Sequence, residues 1–119
     1  MAKVVALVPD LLFGSKVQSS FGAAGFECQL IGDPQAARAA AAESDLLVVD
    51  LTDADLGGSE LVASMVAAGE TGQLKTLGFF SHVEPHVREA ALSAGFDLVV
   101  PRSRMNREGP QLAERLLAG

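Results

Sequence analysis

The chain is 119 residues long, enough for one domain with a buried core, and 49% hydrophobic against 20% charged, which excludes a disordered segment. A net charge of −6 excludes any broad attraction to nucleic acid or to an anionic membrane surface, so neither is expected as a partner. No apolar run approaches the ~20 residues of a membrane span, and the opening MAKVVALVPD has neither the apolar length nor the cleavage site of a signal peptide, so the expected location is the cytoplasm.

Five apolar runs alternate with helical patterns. KVVALV (3–8) reads as a strand, and residues 15–24 form the first helical pattern, with Val17, Phe21 and Ala24 at helical spacing. ECQLI (27–31) is the second strand. Asp33-Pro34 then opens a helix, aspartate as cap and proline in the first turn, and QAARAAAAE continues it with high helix propensity. DLLVVDL (45–51) is the third strand, and 59–68 a helix with Leu61, Val62, Met65 and Val66 on its apolar face. LKTLGFF (74–80) is the fourth. A helix opening at Glu84-Pro85 stops at Ala94-Gly95. DLVV (97–100) is the fifth strand. Beyond it, Gly109-Pro110 breaks the chain, leaving a mobile loop and a short last helix over about 110–117. Continuous apolar strands suit burial on both faces. The expectation is a single α/β domain over residues 1–119, with a doubly wound five-stranded parallel sheet and helices on both faces. Cys28 is the sole cysteine, which rules out an internal disulfide and a cysteine-based zinc site; it is expected as a small core residue rather than a reactive thiol.

In such folds sites form beyond the carboxyl ends of the strands. The residues there are Pro9 and Asp10, Asp50 and Asp53, Ser81 and His82, and Pro101 and Arg102. Three carboxylates, a hydroxyl and a guanidinium should share one rim.

With these positions marked, the chain resembles the receiver domain of bacterial two-component response regulators over nearly its full length. ESDLLVVDLTDADLGGSEL is similar to the family's strand, phosphoacceptor aspartate, loop, glycine and helix, with Asp50 at the phosphoacceptor and Gly58 at the glycine. AALSAGFDLVVPRS is similar to the family's AL-x-AGADDYL-x-K-P: Gly95 and Asp97 match, Arg102 falls at the lysine, and Ser81 falls at the Ser/Thr that contacts the phosphoryl group. The resemblance implies the strand order 2-1-3-4-5. The departures lie at the acidic pair, where Val8 and Pro9 stand and only Asp10 remains, one residue later. They continue at Ala54 for the loop proline, Val99 for the aromatic switch residue, and Pro101, which precedes Arg102 instead of coming after it. Valine and proline offer no oxygen to Mg²⁺.

Each candidate has two readings. Asp50 is a phosphoryl acceptor, or a relic carboxylate that pairs with Arg102 or caps the next turn. Arg102 clamps Asp50 or Asp10, or faces solvent. Ser81 gates a switch, or is a turn residue. Asp10 and Asp53 form a residual acidic rim. His82, Glu84 and His86 straddle a helix start and do not make a metal site. Arg102, Arg104 and Arg107 with Arg115 form a basic edge, which is a docking surface or a solvated loop.

The resemblance implies a non-enzymatic signalling module that works by protein–protein contact, with phosphorylation lost or altered. Its partner would be a signalling protein or histidine kinase, or a second copy across the face of the fourth helix, fifth strand and fifth helix, where Val83, His86, Val87, Arg104 and Arg107 lie. No cofactor is expected, Mg²⁺ entering only if Asp50 is a working phosphoacceptor. A small flavodoxin-like enzyme or cofactor binder is the alternative class. Against it, D-x-H-x-x-G is absent, as are tryptophan and tyrosine.

Overall fold

The computed structural model describes residues 1–81 and 85–119. Five strands alternate with five helices: β1 (Lys3–Leu7), α1 (Leu11–Ala23), β2 (Glu27–Ile31), α2 (Pro34–Ala41), β3 (Leu46–Asp50), α3 (Gly58–Ala67), β4 (Lys75–Phe80), α4 (Pro85–Ala94), β5 (Leu98–Pro101) and α5 (Arg102–Ala118). A 3₁₀ turn over Ala54–Leu56 precedes α3. The strands are all parallel, in the order β2-β1-β3-β4-β5.

Strand alternation sorts the core into two layers. Val4, Ala6 and Val8, with Leu46, Val48, Leu77 and Phe79, pack beneath α1 and α5 against Phe13, Phe21, Met105 and Leu112. Val5, Leu7, Leu47 and Val49 turn to the other face, against Ala37, Leu61, Met65 and Ala91 of α2, α3 and α4. All residues of β3 are buried, as expected of a central strand. The outer strand β2 is not: Glu27 and Gln29 are exposed and its other residues only half-buried. The expectation of burial on both faces fails there, at an outer strand whose Glu27 and Gln29 face water. Gln18 of α1 reaches over this edge and donates from Nε2 to the Cys28 carbonyl at 3.1 Å. Cys28 is half-buried beneath the α1/α5 layer, and desolvation pushes its thiol up to about 11.

Local chemistry sets the element ends. Asp10 caps α1, accepting from the backbone N–H groups of Leu12 and Phe13 at 3.0 and 3.2 Å, so the helix starts at Leu11 and not at residue 15. Asp33 caps α2 through the Ala36 N–H at 2.9 Å, with Pro34 in the first turn. Gly57, at φ 71°, turns the chain into α3. A Cβ on the next residue, Gly58, would lie 2.6 Å from Val49 Cγ1, so only glycine lets α3 approach β3 this closely. Arg38 grips Glu70 through Nε and Nη2 and donates from Nη1 to Ser64 Oγ at 2.9 Å, tying α2 to α3.

The expected loop after β5 is the largest correction. Helix α5 begins at Arg102, directly after β5, and continues through Gly109 and Pro110 to Ala118. Gly109 is a packing glycine: a Cβ there would meet the Phe21 ring at 3.0 Å, where α5 crosses α1. Pro110 removes one backbone donor inside the helix, a cost that packing of Met105, Leu112 and Ala113 against the sheet offsets.

Candidate functional site

The candidate residues lie at the carboxyl ends of the strands. Arg102 opens α5 and lies over the Phe13 ring, its Cζ 4.1 Å from the ring centroid. Phe13 in turn packs on Phe79 of β4, with ring centroids 5.1 Å apart. So positioned, Arg102 donates from Nη2 to Asp10 Oδ2 at 3.2 Å. The Phe13 N–H beside Asp10, and then the Arg102 guanidinium, hold its carboxyl below the usual aspartate range. The pair is open to solvent, with side chains 34% and 42% exposed, so its worth is positional more than energetic. Of the two carboxylates considered as partners of Arg102, the structure joins it to Asp10. Ser81, exposed just after β4, borders the same hollow as Arg102 and Phe13.

Asp50 makes a different bond. It ends β3 at only 6% exposure, and its Oδ1 accepts from the Thr52 N–H at 2.8 Å, closing the turn at the end of the strand. Asp53 caps the 3₁₀ turn through the Asp55 N–H at 2.9 Å. It borders a second cavity of about 260 Å³, with Leu51, Glu60, His86 and Val87, between the turn, α3 and α4. Of the residues expected at the strand ends, Arg102 and Ser81 border one hollow, with Asp10 bonded to Arg102, and Asp53 borders another.

The described residues do not gather a full Mg²⁺ donor set. That ion wants several oxygen ligands in near-octahedral geometry. Val8 and Pro9 supply none, and both oxygens of Asp10 are engaged, one by helix N–H groups and one by Arg102. Among the described residues, no group of three or more His, Cys, Asp and Glu side chains is arranged to hold a metal. His82, Glu84 and Val83 lie outside the described residues. Of the remaining partner-surface residues, His86 is exposed on α4, while Arg104 and Arg107 sit on α5 and both pair with Glu108 at 3.4 Å. Among the described residues every peptide bond is trans, and no helix is long and apolar enough to cross a membrane.

Two features went unread in the sequence. The Phe13 platform under Arg102 carries no local signal. Thr76 does carry one, as a polar residue in an apolar strand. It is 1% exposed and bonded to Asp97: the Thr76 N–H and Oγ1–H donate to Asp97 Oδ2 at 2.8 and 3.2 Å, and the Asp97 N–H donates back to Oγ1 at 3.0 Å.

A five-stranded parallel sheet in the order 2-1-3-4-5, alternating with five helices, is the CheY-like fold of response-regulator receiver domains, and this chain has that fold. No protein-family model matches the chain, and no curated protein matches it in sequence. Solved structures match it nearly end to end. A DNA-binding response regulator of the LuxR family from Staphylococcus aureus is 14% identical at a TM-score of 0.86, covering 98% of this chain and 99% of that one. The chemotaxis protein CheY4 of Vibrio cholerae is 19% identical at a TM-score of 0.84, covering 98% of each chain. A CheY-like receiver domain protein from Methanospirillum hungatei is 14% identical at 0.84, covering 99% of this chain and 94% of that one.

Proposed function

We propose that the chain is an atypical receiver-like signalling domain that acts by protein–protein contact, with Mg²⁺-dependent aspartyl phosphorylation lost or altered. The observation that carries this reading is the state of Asp10. As the acidic residue left beside the usual metal position, it is spent on capping α1 and on Arg102. Phosphoryl transfer to a carboxylate needs the developing charge neutralised by a metal and a cation. Among the described residues no cluster of three or more His, Cys, Asp and Glu side chains could hold the metal, and Arg102 is bonded to Asp10. The reading assigns no catalytic residue and no resident cofactor, and it carries a bacterial, cytoplasmic two-component setting with it.

The partner in this reading is a signalling protein such as a histidine kinase, or a second copy, and it docks on the face of α4, β5 and α5. His86, Arg104 and Arg107 are the contact candidates there. Arg104 and Arg107 share one glutamate, Glu108, so the local balance is positive and favours an acidic counterpart.

The test is an amide NMR titration with Mg²⁺ and then with beryllofluoride, which mimics the phosphoryl group on aspartate. The expected result is no saturable response at Asp50, Ser81 or Arg102. Saturable shifts there that vanish in Asp50→Asn would make Asp50 a working phosphoacceptor and overturn the reading.

A further inference from the structure

A polar trough runs between α1 and the start of α5. Its first hollow, of about 400 Å³, is lined by Phe13, Lys16, Ser81, Arg102, Ser103 and Asn106. A second, of about 520 Å³, shares Lys16 and Asn106 with it and continues past Ser15, Ser19 and Ser20. The two hollows therefore join at one lysine and one amide.

The lining is chemically one-sided. Among the described residues no carboxylate borders either hollow, on a chain whose net charge is −6. Two cations border them, with hydroxyls from Ser15, Ser19, Ser81 and Ser103, all exposed. Arg102 spends one donor on Asp10, outside the hollow, and its remaining N–H groups are fixed in place by the Phe13 ring. Pro101 precedes α5 without a side-chain cap, so no side-chain acceptor competes for the first N–H groups of that helix. Fixed guanidinium, mobile ammonium, hydroxyls and helix N–H groups are the donor set that binds phosphate oxygens.

We propose that this trough binds a small molecule carrying adjacent phosphate groups, one in each hollow with Lys16 between them, independently of Asp50.

The test titrates the full chain with inorganic pyrophosphate at constant ionic strength and without Mg²⁺, monitored by amide NMR shifts. Saturable shifts confined to Ser15, Lys16, Ser19, Ser81, Ser103 and Asn106 are expected. Lys16→Gln should weaken binding about tenfold, the scale of one charge-assisted contact. Asp50→Asn and Lys75→Gln should leave it unchanged. Lys16 is exposed, so its variant keeps the fold. Absence of shifts, unsaturable shifts spread over the surface, or an unchanged affinity in Lys16→Gln would overturn the proposal. Loss of binding in Asp50→Asn would place the anion at the strand end instead, and would also overturn it. Failure of pyrophosphate to bind leaves the signalling reading standing, because the beryllofluoride response is judged by its dependence on Asp50 and the pyrophosphate response by its dependence on Lys16.

Discussion

Arg102 and Asp10, separated by 92 residues, meet at 3.2 Å, with the guanidinium lying over the Phe13 ring. The contact joins the first turn of α5 to the cap of α1.

That arrangement fixes how Asp10 titrates. Its carboxyl is held down first by the Phe13 N–H and then by Arg102. A depressed value in the folded state means that the ionised cap supports the fold above the ordinary aspartate value of about 3.9, and that this support is lost as pH falls through the folded value. In a carbon-detected carboxyl titration, Asp10 should have its midpoint below the ordinary value. Arg102→Ala should raise it only part of the way, since both helix N–H groups remain. An unmoved midpoint in that variant would show that the ion pair is not formed in solution.

Gly58 is required for contact between α3 and β3. Gly58→Ala puts a methyl 2.6 Å from Val49 Cγ1 and should cost about 1–3 kcal/mol in chemical denaturation. Adding Val49→Ala removes the shortest contact and leaves Leu51 Cδ2 at 3.0 Å, so the double variant should lose less than the sum of the two single losses by more than about 0.5 kcal/mol. Strict additivity would mean that the helix shifts freely.

Pro110 acts in the opposite direction. It sits inside α5, half-buried, without a backbone donor. Pro110→Ala should restore the helical hydrogen bond and raise stability by about 1–3 kcal/mol. Thermal melts read by circular dichroism would show it as a higher midpoint, and a lower midpoint would mean that the proline ring packs better than alanine.

Cys28 should behave as an inert thiol. With its pKa pushed up to about 11 by burial, it stays protonated at pH 8, and alkylation by iodoacetamide should be far slower in the native chain than in denaturant. The folded value lies above that of the unfolded chain, so the unfolded state ionises first as pH rises past about 8.5 and stability falls from there. Equal labelling rates in the native and denatured chains would contradict the burial.

The order of strands and helices was legible because apolar runs and helical spacing alternate cleanly, and Asp33-Pro34 marked a real cap. The starts of α1 and α5 were not. Leu11 and Leu12 are 74% and 84% exposed, so the first turn of α1 has no apolar stripe, and only Asp10 marks its start. Gly109-Pro110 reads as a break in any local view; its place in a helix depends on Phe21, distant in the chain, coming close to the backbone of α5. At the strand ends, sequence order located Asp10, Asp50, Ser81 and Arg102 correctly along the chain. Which carboxylate takes the guanidinium depends on the Phe13 ring, and no spacing rule reports that contact.

The hydrogen bond from Gln18 to the Cys28 carbonyl bears on how the molecule behaves when crowded. An outer strand is a template on which a foreign strand can grow, one carbonyl and one N–H at a time. Gln18 occupies one of those acceptors on β2, and exposed Glu27 and Gln29 place polar side chains beside it. One outward acceptor of β2 is thereby withdrawn from ribbon-like growth along that side of the sheet.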